Sequence, residues 1–179
     1  MISELSLRAK PSNKKATAYA IGSLGGALIC FIGSLFMDSF RWAPQLSAMI
    51  LVVAGLVLLT RYVTPKFYYD VTVDSDGSPL FVVRQNIGKR KTTLCRIFLA
   101  DIQKIEAESA EQRRAHKTPI GYVKYVYVPT FLPEDTFRIT TVSRYERAEI
   151  IIECSEEFAR LLSDHAAEAR ALRATEEEI

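Results

Sequence analysis

Few residues in this 179-residue chain could do covalent chemistry, and their spacing does not bring them together. There are two histidines and three cysteines. His116 belongs to a basic run, Arg113-Arg114-Ala115-His116-Lys117, while His165 follows Leu161 and Leu162 on the inner face of a predicted helix. A histidine placed there is ordinarily a core or boundary residue rather than a ligand or a base. Cys30, Cys95 and Cys154 are far apart and form no C-x-x-C, so no zinc site is predicted. Asp74-x-Asp76-Gly77 matches the start of a calcium loop but lacks the later ligands, and a hairpin turn accounts for it. No G-x-x-x-x-G-K-[ST], G-x-S-x-G, H-E-x-x-H or G-x-G-x-x-G occurs. The expectation is a protein that is not an enzyme, with no catalytic residue, metal or cofactor.

Charge is more informative. Residues 67–124 hold ten basic and seven acidic side chains, whereas residues 125–179 hold six and twelve. In the positive half, Lys89, Arg90 and Lys91 crowd one predicted hairpin turn, flanked by Arg84 and Arg96. Arg113, Arg114 and Lys117 crowd a second loop. Near an anionic membrane each such cation is worth about 1 kcal/mol. These two clusters are the candidate contacts for lipid headgroups or an acidic partner; solvated turns are the ordinary alternative. Nucleic acid is not expected, because the net charge is only +2 and no RNA-binding or helix-turn-helix signature appears.

The elements that would position these clusters begin with two charge-free runs. Residues 16–37 and 42–60 contain no Asp, Glu, Lys or Arg, although the chain has 44 such residues. A helix over 16–37 reaches about 33 Å, enough for a hydrocarbon core of about 30 Å. A second over 43–63 follows after a turn, and two helices so closely joined must run antiparallel. Residues 16–63 therefore read as a transmembrane hairpin behind a basic tail, residues 1–15. A cleavable signal is disfavoured by the length of the first run and the absence of a small-x-small site before the second. Phe40 and Trp42 mark one interface, and Tyr62 with Phe67 to Tyr69 the other. Arg8, Lys10, Lys14 and Lys15 precede the spans, Arg61 and Lys66 follow them, and the turn holds only Arg41, which places both termini on the cytoplasmic side. In the first span Ala18, Gly22, Gly26, Cys30 and Ser34 recur at every fourth position. That stripe either packs on the chain's own second helix or supports a homo-oligomer.

Residues 64–179 form the cytoplasmic part. Period-two runs predict strands at 67–73, 80–87, 91–98, about 102–108, 121–128, 137–142 and 148–154, with 109–118 read as a loop. The period then changes to 3.6. Ser155 caps a helix running to about residue 174, with Phe158, Leu161, Leu162, His165, Ala169 and Leu172 on its apolar face.

Seven strands followed by one C-terminal helix, with Ile97-Phe98-Leu99-Ala100-Asp101-Ile102-Gln103-Lys104-Ile105 matching an L-x-D-I-x-x-I segment, resemble the bacterial membrane-anchored pleckstrin-homology-like (PH-like) proteins. The resemblance implies an α+β fold: a transmembrane hairpin followed by a partly open seven-stranded barrel capped by one helix. It also implies a bacterial plasma-membrane location and a scaffold role toward a protein partner. In lipid-binding PH domains basic residues flank the first hairpin loop; here that loop is Asp74-Ser75-Asp76-Gly77-Ser78-Pro79, which argues against specific phosphoinositide binding. An accessory transporter subunit or an oligomeric pore is the alternative, weakened because neither charge-free run, 16–37 or 42–60, supplies an intramembrane charge.

Overall fold

The two charge-free runs have no polar face for water to solvate, and both become helices. The computed structural model describes residues 5–8, 14–36, 42–131, 133, 135–144 and 146–177. The expected turn at 38–41, with Phe40 and Arg41, and Lys10 of the tail lie outside the described residues. The chain divides into a helical unit, 11–65, and a β-rich unit made of 1–10 together with 66–179.

In the helical unit, α1 is Lys14–Leu35 and α2 is Trp42–Leu58, continued by a π-helical turn, Leu59–Val63. That turn is closed by the Thr64 N–H donating to the Leu59 carbonyl at 2.9 Å. Lys14–Leu35 and Trp42–Val63, 22 residues each, are long and apolar enough to cross a membrane. Their outward side chains, such as Ile29, Ile50 and Phe36, are exposed, which suits lipid better than water. The hydroxyls of Ser23, Ser34 and Thr60 donate to carbonyls one turn back, so they need no water.

In the β-rich unit, β2 (Lys66–Val73), β3 (Pro79–Ile87) and β4 (Arg90–Phe98) form an antiparallel meander. The reading of residues 1–15 as a tail needs correction. Leu5–Arg8 is a strand, β1, paired antiparallel with β2 through Leu5↔Val71 and Leu7↔Tyr69. Leu7 packs on the core, so an apolar-polar alternation too short to stand out recruits a partner strand on the far side of the helical hairpin.

The second sheet contains β5 (Ile102–Glu108), β6 (Tyr122–Tyr127), β7 (Thr136–Val142) and β8 (Arg147–Glu153), in the order β5-β7-β8-β6. β6 runs parallel to β8; the other pairs are antiparallel. The expected loop at 109–118 contains a short helix, α3 (Ala110–Ala115), started by a capping box between Ser109 and Gln112. α4 (Glu156–Glu177) closes the core, capped by Ser155 Oγ accepting from the Phe158 N–H. Its buried stripe is Phe158, Ala159, Leu162, Ala166 and Ala169. That face is rotated from the expected one: Leu161 is half-buried and Leu172 is 56% exposed, while Ala159 and Ala166 join Ala169 in the buried stripe.

Between the sheets Phe67, Tyr69, Val71 and Phe81 meet Ile139, Ile150 and Ile152. Tyr69 joins them by polar contacts too. Its hydroxyl donates to the Tyr127 carbonyl at 2.7 Å and accepts from the Glu153 N–H at 3.4 Å. Burial pushes that phenol far above its ordinary pKa, so it stays a donor.

Candidate functional site

Strand register decides which cations share a face. In β2 the core takes Phe67, Tyr69 and Val71, so Lys66, Tyr68, Asp70 and Thr72 point the other way. Register then sets Tyr68 opposite Arg84, Lys66 opposite Asn86, Asn86 opposite Lys91 and Val82 opposite Arg96. The outer face of the first sheet thus collects Lys66, Arg84, Lys91 and Arg96, cations spread over 31 residues of chain. Asp70 is the one carboxylate among these outward strand positions. It is buried and already engaged, accepting from Ser6 Oγ at 2.5 Å and lying 3.3 Å from Arg84.

A depression of about 360 Å³ opens on this face, lined by Ser6, Asp70, Thr72, Arg84, Asn86 and Lys91. The Oδ1 of Asn86 is buried there without a hydrogen-bond partner. Beside it β3 and β4 turn over through Gly88 and Lys89, with Gly88 at φ 59 in the first turn position, where a side chain would be strained. Ile87, Lys89, Arg90 and Lys91 are all exposed at this tip.

The second expected cluster fares differently. Arg113 and Arg114 lie on α3 and Lys117 follows it, tied to the other sheet. Arg114 and Lys117 are exposed, but Arg113 donates to Thr136 Oγ1 at 3.3 Å. His116 Nε2 lies 2.9 and 3.1 Å from the two carboxylate oxygens of Glu149, and its Nδ1 lies 2.7 Å from Arg138. A guanidinium can only donate, so Nδ1 accepts and Nε2 carries the proton given to Glu149. Arg138 also bonds Glu108. The result is a chain Glu149–His116–Arg138–Glu108 under α3, with both carboxylates buried. The sequence reading treated His116 only as part of a basic loop. Glu149 and Arg138, at outward-facing positions of β8 and β7, were the available signal, because a charged residue inside an otherwise apolar strand needs a partner.

This chain of charges holds no candidate nucleophile. Cys95 faces inward on β4, and burial pushes its thiol up to about 11; Cys154 is pushed up to about 12 by the same cause. Both are protonated, unreactive thiols near neutrality. His165 sits at the margin of α4, 3.7 Å from Glu168. Among the described residues no group of three or more His, Cys, Asp or Glu could hold a metal ion.

In the helical unit the expected stripe divides. Ser34 is buried, Gly26 and Cys30 are half-buried, and Ala18 and Gly22 are exposed. The close approach lies elsewhere: a Cβ added at Gly55 would come within 2.7 Å of Ser23 Oγ and 2.9 Å of Leu24 Cγ. Ala16, Ala20, Ala27 and Ala48 complete the buried set. Gly22, Gly25 and Gly33 face open space.

No protein-family model, curated protein or solved structure matches the chain, so these residues carry the functional reading themselves.

Proposed function

We propose that this protein is a two-pass, membrane-anchored, non-enzymatic interaction module, with a PH-like domain held at the cytoplasmic face as a scaffold for a protein partner. The observation that carries this reading is the pairing of β1 with β2. Those strands flank the two apolar helices in sequence, and two strands of one sheet must lie on one side of any membrane the helices cross. The basic residues around the hairpin make that side cytoplasmic. Seven strands, β2 to β8, followed by α4 support the PH-like assignment; β1 and the parallel β6–β8 pair are additions to it.

Cysteine accessibility in sealed membrane vesicles tests the reading. Ser12→Cys and Ser155→Cys should react with an impermeant maleimide from the same side, and Ser39→Cys from the opposite side. Reaction of all three from one side would exclude a spanning hairpin. A homo-oligomer draws support from the open face at Gly22, Gly25 and Gly33; a pore built from it would have to conduct without an Asp, Glu, Lys or Arg anywhere in residues 16–37 or 42–60.

A further inference from the structure

We infer that the β3–β4 tip, Ile87 to Lys91 with Arg84 and Asn86 behind it, is a docking surface for the phosphate headgroups of an anionic lipid bilayer. The inference rests on the membrane-anchored reading and adds the ligand class and the residues. Three independent features converge on it.

The first is composition at the tip. Ile87 is 45% exposed, and the next three side chains are Lys89, Arg90 and Lys91. Water leaves the isoleucine unburied and three like charges crowded within one tight turn. A bilayer interface takes the apolar side chain below the headgroups and pairs the cations with phosphates. The two-residue turn at Gly88 pre-organises the tip, so little entropy is lost on docking.

The second feature is chain connection. Lys66 starts β2 only three residues after Val63 closes the second apolar helix, and it pairs with Asn86, which pairs with Lys91. The tip therefore belongs to the end of the sheet at which the chain arrives from the helices. Val73 and Phe98, also exposed and apolar, belong to the opposite end.

The third is the depression behind the tip. Arg84, 3.3 Å from the Asp70 carboxylate, and Lys91 supply donors of the kind that bind the phosphate oxygens of a lipid phosphodiester.

The test uses the full chain in vesicles of phosphatidylcholine alone or of phosphatidylcholine mixed with phosphatidylglycerol. The single native tryptophan, Trp42, is replaced by phenylalanine, and Ile87→Trp becomes the reporter, with Val73→Trp as its counterpart at the other end of the sheet. Brominated acyl chains should quench the residue-87 reporter in phosphatidylglycerol vesicles and leave the residue-73 reporter bright. Neutralising Lys89, Arg90 and Lys91 to Gln should lower the docked-to-undocked ratio about five-fold per cation, and added salt should lower it on the unmodified tip. Equal quenching in phosphatidylcholine alone, or none in either vesicle, overturns the inference. Relief of quenching by inorganic phosphate at constant ionic strength also overturns it, because the site would then prefer the free anion. Alkaline carbonate extraction separates the two readings. A chain that stays in the pellet with an unquenched tip refutes the docking surface alone; a chain that is extracted refutes the anchor and the docking surface together.

Discussion

The outer faces of the two sheets carry similar residues and use them in opposite ways. On the first sheet the cations stand at the surface, and only Asp70 is matched internally, by Ser6 and a half-exposed Arg84. On the second, Glu108 and Glu149 are 4% and 3% exposed, and Arg138 and His116 are spent on them beneath α3. α3 itself buries no side chain, so polar bonds rather than apolar area hold this segment down. Basic runs that look alike in sequence thus divide into one whose tip cations all stand exposed and one in which Arg113 and His116 are taken up by the fold while Arg114 and Lys117 stay exposed. A buried ion pair adds little net stability over an apolar substitute, but removing one member leaves an uncompensated charge.

That asymmetry can be broken experimentally. Arg138→Ala strands Glu108 and frees His116 Nδ1, and should cost about 3–5 kcal/mol in denaturant unfolding; a loss below about 1 kcal/mol would mean water already reaches the pair. His116→Ala removes the donor to Glu149 and should cost about 1–3 kcal/mol, with faster amide exchange across α3 as a second readout. Arg84→Ala, the matching change on the first sheet, should cost under about 1 kcal/mol, since the side chain is 45% exposed and Ser6 still donates to Asp70. The triple change of Lys89, Arg90 and Lys91 to Gln should leave unfolding within about 0.5 kcal/mol of the original, because these side chains face outward. A larger loss there would show the tip to be part of the scaffold, and the contrast between the faces would disappear.

Sequence period was enough for the repetitive parts. Alternation such as Phe67, Tyr69, Val71 against Tyr68, Asp70, Thr72 located seven strands, and the lack of charge located both apolar helices. It failed where an element owes its existence to a distant partner. Leu5–Arg8 is four residues long, and its alternation acquires meaning only when Leu5 meets Val71 and Leu7 meets Tyr69. α3 is too short for a periodic stripe, although Ser109 and Gln112 offered the capping box. The site was half legible for the same reason. Lys89, Arg90 and Lys91 are adjacent in the chain, with Arg84 and Arg96 flanking them in the predicted hairpin, but Lys66 joins them only through register, which a one-residue slip would undo.

The β1–β2 ladder also bears on how the molecule is built and released. During synthesis β1 emerges first and must wait for about 60 residues before its partner exists; closing a loop of that size costs roughly 3–4 kcal/mol of chain entropy. An antiparallel pair of helices brings its two outer ends together, so forming the hairpin removes most of that cost beforehand. The hairpin then acts on the sheet as a cross-link does, and a single cut between Val63 and Lys66 would not free the domain, because β1 would still tether it through main-chain hydrogen bonds. Shedding would take a second cut, between Arg8 and Lys14.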